Sequence, residues 1–251
     1  MTRTGDIEFT GERMVPEKSP PDLVAEHLAR YRFALEYVTD RKVLDLGCGT
    51  GYGCRMLAER AWEARGVDIS PEAIAYATDH YENEKVGFHE SDVKKLIFGD
   101  DEFNAVVCFE VIEHIENPEE MLGEVGRILT ADGVFIVSTP NGAVKVSSVP
   151  NPFHVKEFKI DEIREILEHY FPADKWIVEI FGQFLKGKKY SEAGVKLKNT
   201  YLAIKGILGI KPREKLPEIY SHNTDTPPLQ YDFSTHNAHL AEYLIAIVSP
   251  R

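Results

Sequence analysis

Four glycines follow a short apolar segment near residue 45, and this combination restricts the fold more than any other feature of the chain. The segment 43–46 is mostly apolar, as expected for a buried strand. The glycines stand at alternate positions: Gly47, Gly49, Gly51 and Gly53. Residues 54–60 then show the pattern of a helix. A strand, a glycine turn and a helix let the backbone approach a cofactor closely and present its N–H groups to it.

The spacing of the glycines distinguishes between two classes of cofactor. A dinucleotide-binding turn has the pattern G-x-G-x-x-G, which would require a glycine where this chain has Tyr52. The chain instead reads D-L-G-C-G-T-G from Asp45 to Gly51. This pattern resembles the first motif of the class I S-adenosylmethionine-dependent methyltransferases, and the resemblance extends over residues 40–140. An ordinary glycine-rich turn between a strand and a helix is the alternative interpretation.

Strands and helices alternate along the chain, which favours a parallel sheet with right-handed crossovers. We predict strands at 43–46, 63–69, 86–91, 103–110, 134–137, 176–181 and 240–248, and helices at 22–38, 54–60, 70–81, 117–129 and 161–171. Ser70 and Asn117 are the expected N-caps, and residues 131–133 the expected turn. With the resemblance, the fold class is α/β: a Rossmann-like seven-stranded methyltransferase sheet, mostly parallel with an antiparallel last strand, and helices on both faces.

The distribution of charge distinguishes one segment from the rest of the chain, which we divide into four regions. Residues 186–215 carry nine basic and two acidic side chains, a net charge of +7, whereas the whole chain has a net charge of −12. The rest of the chain therefore carries −19, so this segment has a role of its own. We predict an N-terminal arm and lid helix (1–39), a cofactor-binding core (40–181), a substrate-recognition insertion (182–239) with a basic helix at 193–210, and a final core strand (240–251). A merely decorative surface subdomain is the alternative for the insertion.

The composition also bears on partners and location. The net charge of −12 argues against a general nucleic-acid binder. No apolar run is long enough to predict a transmembrane segment, and the N-terminus lacks the apolar region of a signal peptide. Three cysteines without a framework spacing favour free thiols and a reducing compartment. We therefore expect a cytoplasmic protein, and a homodimer is left open.

The resemblance implies a set of cofactor-binding residues at the ends of the strands. It places the methionine part of the cofactor over the turn that follows Asp45, lets Asp68 accept the ribose hydroxyls, and lets Asp92 accept from the adenine amino group. The full expected set is Tyr31, Asp45, Gly47, Cys48, Gly49, Gly51, Asp68, Ile69, Asp92, Val93 and Phe109. Arg13 is a further candidate for closing over the cofactor. The alternatives are a helix N-terminal acid for Asp68, turn chemistry for Asp92, and structural or substrate-facing roles for Arg13 and Tyr31.

Three polar residues stand at the end of the fourth predicted strand and just after it: Glu110, Glu113 and His114. The pattern E-x-x-E-H resembles the O-methyltransferases of ubiquinone biosynthesis and the small-RNA 3′-terminal 2′-O-methyltransferases, in which it implies a divalent cation. His154 stands where the RNA enzymes have a further histidine, although the flanking residues match poorly. We predict that these four residues bind Mg²⁺ or Mn²⁺, with Fe²⁺ and Zn²⁺ left open, and that Glu113, His114 and His154 take part in catalysis.

Two other interpretations of this stretch stay open. His114 or His154 could act as a metal-free general base, since a hydroxyl is a poor nucleophile at neutral pH. Glu113 and His114 could also simply hold loop backbone ahead of the next helix.

The acceptor class rests on a weaker resemblance. Residues 151–158, 181–184 and 237–246 resemble segments of methyltransferases from surface-glycan and natural-product pathways. We therefore expect O-methylation of a sugar or another small polyol or phenol. RNA 2′-O-methylation, small-molecule N-methylation and a non-catalytic cofactor-binding subunit are the rival functions, and only the +7 segment supports the RNA enzyme.

Overall fold

The computed structural model describes residues 7, 13–144, 151–207 and 230–251, and in helix α6 it describes side chains only as far as residue 203. Six helices are described: Pro21–Ala34 (α1), Tyr52–Leu57 (α2), Pro71–Tyr81 (α3), Pro118–Ile128 (α4), Ile160–Tyr170 (α5) and Glu192–Ile207 (α6). The strands are Lys42–Leu46 (β1), Glu63–Asp68 (β2), Val86–Glu90 (β3), Phe103–Phe109 (β4), Leu129–Pro140 (β5), Trp176–Leu185 (β6), Tyr231–Ser234 (β7) and Tyr243–Pro250 (β8). Short 3-10 helices occupy Ile112–His114 and Ala238–Leu240.

The strands form one sheet in the order β3-β2-β1-β4-β5-β8-β6-β7. The pairs from β3 through β5 are parallel, whereas β8 runs antiparallel to both of its neighbours and β7 runs antiparallel to β6. The order reverses between β1 and β4. Ligands of such open sheets bind outside the carboxyl ends of the strands at this reversal.

Helices cover both faces of the sheet, as predicted. Val106 and Val107 are neighbours in β4 but belong to different apolar clusters. The first cluster contains residues of α4 and α5, and the second contains residues of α1 and α2. Successive side chains of a strand point to opposite faces, so both faces of β4 are buried.

The predicted α/β class and mostly parallel sheet are confirmed, but the count of seven strands is wrong. Tyr231–Ser234 adds an eighth strand that pairs with the last residues of β6. This strand lies within the range assigned to the insertion, and β6 itself extends to Leu185. Its apolar and polar residues alternate over only four positions, which is too short a pattern to separate from a loop.

Two local predictions also differ from the structure. Residues 131–133 do not leave the sheet but lie within β5, where the register against β4 shifts between the pairs Phe103–Leu129 and Ala105–Val134. Residues of a type common in turns therefore form a β-bulge within β5. Ser70 caps α3, since its Oγ accepts a hydrogen bond from Ala73 N, whereas the Asn117 side chain makes no capping bond to α4.

The packing of α1 on α2 places the N-terminal helix over the glycine turn. A Cβ at Gly53 would overlap the ring of Tyr31, so only glycine lets α1 approach this closely. The Tyr31 ring also makes edge-to-face contacts with Tyr52 and Phe109, at centroid distances of 5.4 and 5.1 Å. Helix α1 is thereby fixed against the ends of β1 and β4.

Two further observations concern the cysteines and the length of the helices. Cys48, Cys54 and Cys108 are buried and free, as the sequence predicts. Among the described residues, every helix is too short or too polar to cross a lipid bilayer.

Candidate active site

A cavity of about 600 Å³ opens at the carboxyl ends of β1, β2 and β4. Its volume is within the usual range for small-molecule sites. Nine of the eleven expected cofactor residues line it: Tyr31, Gly47, Cys48, Gly49, Asp68, Ile69, Asp92, Val93 and Phe109. Arg13, Glu110 and His114 line it as well. The structure therefore brings most of the predicted cofactor residues into one cleft with two of the four predicted metal ligands, Glu110 and His114.

The glycine turn approaches the cavity closely but does not present its N–H groups to it. Gly47 N and Cys48 N donate to Val67 O at 2.8 Å, and Gly51 N donates to Cys48 O at 3.0 Å. Gly49 N donates to Asp68 Oδ2 at 2.9 Å. The expectation of N–H groups aimed at a cofactor is therefore wrong for these four residues. A turn whose donors are used internally is poorly suited to a pyrophosphate, which agrees with the failed dinucleotide spacing.

Gly47 shows why this turn needs glycine. Its φ is +76°, and a Cβ there would overlap the side chain of Val111. Gly47 therefore lies directly against the segment that follows β4. Gly51 does not line the cavity; a Cβ on it would come 2.6 Å from Ala77 Cβ in α3, so its role is in packing.

Asp68 is held at the mouth of the cavity by backbone donors. Its Oδ2 accepts from Gly49 N and its Oδ1 accepts from Ser70 N, each at 2.9 Å. A carboxylate oxygen has a second lone pair, so each can still accept a hydroxyl hydrogen. Since Ser70 caps α3 with its own hydroxyl, Asp68 is not needed as the cap. This geometry favours the ligand-binding interpretation over the helix-terminal one.

The residues expected around an adenine ring lie on one side of the cavity. Ile69 is 68% exposed, which is unusual for a large apolar side chain and leaves it available for packing. Asp92 Oδ1 accepts a hydrogen bond from Lys94 N at 2.9 Å, so one oxygen of this carboxylate stabilises the turn. The adjacent Val93 is nearly buried. The hydrogen bond from Lys94 N supports the turn interpretation of Asp92, and its role toward a cofactor stays a prediction.

Asp45 lies behind the cavity wall. It is 1% exposed, and the Tyr31 hydroxyl donates to its Oδ1 and Oδ2 at 3.2 and 3.3 Å. Burial raises the pKa of Asp45 to about 7, and Asp68 acts in the same direction. Asp45 therefore joins α1 to the glycine turn and is not among the residues that line the cavity.

The raised pKa of Asp45 predicts a pH-dependent stability. The stabilising contribution of its protonated form is fully present below the usual carboxyl pKa of 3.8 and is lost as the pH rises through about 7. From pH 5 to pH 8 this loss is about 2–3 kcal/mol. We expect Asp45→Asn to gain stability relative to the wild type over that interval, measured by urea unfolding at both pH values. Equal differences at pH 5 and pH 8 would contradict the assignment.

The E-x-x-E-H segment begins with a left-handed residue, Glu110 at φ +56°, and continues into the 3-10 helix. Glu113 O accepts hydrogen bonds from Val155 N at 2.8 Å and Lys156 N at 3.1 Å, which brings the loop containing His154 against this segment. The rings of His114 and His154 are 5.0 Å apart. Glu113, His114 and His154 each offer a ligand atom within 4.8 Å of the others.

The fourth predicted metal ligand, Glu110, is not part of this group. Its Oε1 accepts from Ser138 Oγ at 2.7 Å, and its Oε2 lies 3.8 Å from Arg30 Nη2. Glu110 lines the cavity, whereas Glu113 lies behind the wall. Because the backbone at Glu110 is left-handed, the Glu110 carboxylate faces the cavity while the Glu113 carboxylate is buried behind the cavity wall.

Glu113 is fully buried, and within the described part of the chain neither carboxylate oxygen has a hydrogen-bond partner. Burial raises the pKa of Glu113 well above its usual value, and the neighbouring Glu110 carboxylate acts in the same direction. A buried carboxyl group in such a place is stable when it is protonated or when it binds a cation.

The ring nitrogens of the two histidines have different hydrogen-bond neighbours. His114 Nδ1 lies 2.9 Å from Phe153 O, so it carries the proton and Nε2 carries the lone pair. His154 Nε2 lies 2.9 Å from Asn151 Nδ2, and its Nδ1 lies 3.2 Å from Glu157 Oε1. His114 lines the cavity, whereas His154 is not among the residues that line it.

Sequence reasoning missed several residues of this site. His27 and Tyr52 line the cavity, with His27 Nδ1 3.2 Å from the Tyr52 hydroxyl. Burial lowers the pKa of His27 well below its usual value, and Arg30 adds to this effect. A histidine within an otherwise apolar helix face could have indicated His27. The remaining unpredicted lining residues are Met14, Lys94, Val111, Ile115, Glu116 and Val155.

Comparisons with known proteins agree with this arrangement. A family model described as a methyltransferase domain matches residues 44–137. A probable S-adenosylmethionine-dependent methyltransferase of Mycolicibacterium smegmatis is 31% identical over 169 residues, which are 64% of each chain. The ubiquinone biosynthesis O-methyltransferase of Rickettsia bellii is 31% identical over 150 residues, which are 53% of this chain and 61% of that protein. The matches thus span less than two thirds of either relative's length.

A solved structure confirms the fold. The S-adenosylmethionine-dependent methyltransferase of Thermotoga maritima superimposes with a TM-score of 0.61 over 90% of this chain and 91% of that one. The two sequences are 13% identical, so this likeness concerns the fold alone.

Proposed function

We propose that the chain is a class I S-adenosylmethionine-dependent methyltransferase that transfers a methyl group to a hydroxyl of a sugar or another small molecule. The observation that carries the proposal is the position of His114. Its imidazole lines the same cavity as the glycine turn, with the tautomer set by Phe153 O. We expect a base in this position to face the acceptor when the cofactor occupies the glycine-turn side of the cavity.

The residues present fit the cofactor. Asp68 offers acceptor lone pairs for the ribose hydroxyls, Ile69 offers an exposed apolar surface for adenine, and the turn at Gly47 leaves room for the methionine part. Arg13 lines the cavity next to Gly49, where its guanidinium would meet the cofactor carboxylate. When bound, the cofactor supplies an electrophilic methyl group.

His114 would activate the acceptor. A hydroxyl becomes an effective nucleophile only as its proton leaves, and an imidazole within hydrogen-bond reach can take that proton. His114 Nε2 carries the lone pair for this step, while Nδ1–H stays on Phe153 O and fixes the ring. The 3-10 helix and the hydrogen bonds from the 155–156 backbone hold the segment in place.

A divalent cation bound by Glu113, His114 and His154 is the alternative means of activation. It is favoured by the buried carboxylate of Glu113 and by the approach of the three ligand atoms. One carboxylate and two imidazoles suit a transition metal better than Mg²⁺, which prefers oxygen ligands. When bound, the ion would supply Lewis-acid activation of the acceptor hydroxyl.

The insertion at 182–239 is our candidate for recognising the acceptor. Helix α6 is tied to the end of the sheet by Lys198 Nζ, which donates to Glu242 Oε1 at 2.6 Å, and by Asn199 Nδ2, which donates to Ala143 O at 2.8 Å. These contacts lie beside the end of β5. A charged segment here can act on the acceptor without contributing to the cofactor site.

A methyl-transfer assay tests the function. Radiolabelled S-adenosylmethionine would be supplied with glucose, catechol or a short RNA, with and without EDTA. We expect transfer to a small hydroxyl compound and none to RNA. Full activity in EDTA supports His114 as the base, whereas loss in EDTA and recovery with Mn²⁺ supports the metal. Binding of NAD without any binding of S-adenosylmethionine would refute the assignment.

A further inference from the structure

A buried arginine lies between two carboxylates, one of which, Glu110, lines the cavity. Arg30 is completely buried, with its guanidinium 4.3 Å from the centre of the Tyr243 ring. Its Nη2 donates to Glu26 Oε1 at 2.7 Å but lies 3.8 Å from Glu110 Oε2. Glu26 is therefore the hydrogen-bonded partner and Glu110 the more distant one, so two carboxylates share a single buried cation and the group keeps one net negative charge. The charge of Glu110 is compensated only in part.

Glu110 is fixed in this position. Ser138 Oγ donates to its Oε1 at 2.7 Å, and the backbone N–H of Glu110 donates to Ser138 O at 3.2 Å. Its side chain is 14% exposed and lines the cavity. A carboxylate with so little freedom is a preorganised negative charge rather than a mobile surface group.

Glu110 is also close to the place proposed for the methionine part of the cofactor. β1 and β4 are adjacent parallel strands, so Gly47 and Glu110 emerge side by side at their ends. Gly47 touches Val111, the residue after Glu110.

We propose that Glu110 makes the cavity distinguish the sulfonium cofactor from its thioether product. The inference rests on the proposed function. The cofactor carries a positive charge on sulfur, and loss of the methyl group leaves a neutral thioether. A fixed carboxylate beside the sulfur stabilises the bound sulfonium but not the bound thioether. Methyl transfer therefore lowers the affinity of the cavity for the bound cofactor. The demethylated product is then exchanged more readily for a new molecule of S-adenosylmethionine.

Isothermal titration calorimetry of the full chain in EDTA-containing buffer tests this without any acceptor. S-Adenosylmethionine and S-adenosylhomocysteine would be titrated into the wild type and Glu110→Gln. We expect the affinity for the sulfonium to fall by roughly 5- to 30-fold in the variant, as for one charge pair in a partly screened site. The affinity for the thioether should stay the same. Glu119→Gln, which removes an exposed carboxylate outside the cavity lining, is the matched control and should change neither affinity.

A second variant guards against misfolding of the first. Ser138→Ala removes the hydroxyl that orients Glu110 and should lower the sulfonium affinity in the same selective manner, by a smaller factor. An equal loss for both ligands, or no loss for either, would refute the role of Glu110. If neither ligand binds the folded wild type, the proposed function itself fails.

Discussion

Replacing His114 with alanine is expected to lower the rate of methyl transfer by roughly 10²- to 10⁴-fold, the usual contribution of a positioned acid–base group. His114 is one of two histidines that line the cavity, the other being His27, and Phe153 O fixes its tautomer. Cofactor affinity should be unchanged, because the cofactor contacts proposed here come from the turn, Asp68 and Asp92. Single-turnover kinetics together with calorimetry would separate the two quantities.

The matched control for this variant is His169→Ala. His169 is an exposed histidine in the last turn of α5 and is not among the cavity-lining residues. His154→Ala then separates the base from the metal: a general base at His114 predicts a mild loss, whereas a shared ion predicts losses as large as for His114→Ala that do not add in the double variant. Normal turnover by folded His114→Ala would remove this residue from the mechanism.

Asp68→Ala is expected to weaken S-adenosylmethionine and S-adenosylhomocysteine equally, by roughly 10- to 100-fold, since hydrogen bonds to a charged acceptor contribute about 1.5–3 kcal/mol each. The change removes the acceptor for the ribose hydroxyls and also leaves Gly49 N and Ser70 N without their bonds. Calorimetry measures both affinities. The equal effect contrasts with the selective effect expected for Glu110→Gln.

Two substitutions control for this experiment. Asp68→Asn keeps one acceptor oxygen and should fall between the wild type and Asp68→Ala. Asp79→Ala removes an exposed carboxylate from the last turns of α3 and should leave both affinities unchanged. If Asp68→Ala binds both ligands as the wild type does, the ribose contact lies elsewhere in the cavity.

The cofactor end of the site could be predicted because its side chains follow directly from strand ends. Asp68 is the last residue of β2 and Asp92 stands two residues after β3, and parallel strands bring their carboxyl ends to one edge of the sheet. Glu110, Glu113 and His114 are also adjacent in sequence, but their directions depend on a left-handed residue and a 3-10 turn. Spacing alone could not separate the buried carboxylate from the cavity-lining one.

Arg30 could not be predicted, because its pairing with Glu26 looks like a surface feature. A glutamate and an arginine four residues apart are usual on the exposed side of a helix. Here the pair faces the sheet, where Glu110 and Tyr243 complete the surroundings of the guanidinium. Those two partners are 80 and 213 residues away in the chain, so only the tertiary structure shows that the charge is buried.

The buried Arg30 limits how this chain can be recombined with its relatives. Arg30 and Glu26 come from the N-terminal helix, whereas Glu110 comes from the segment after β4. A crossover between residues 34 and 110 would leave either Glu110 without its cation or Arg30 with a single counter-charge. Breaking a buried ion pair costs several kcal/mol, which is a large part of the stability of a typical domain. In chimeric libraries of this fold, the helix and the strand-end segment therefore need to be inherited from the same parent.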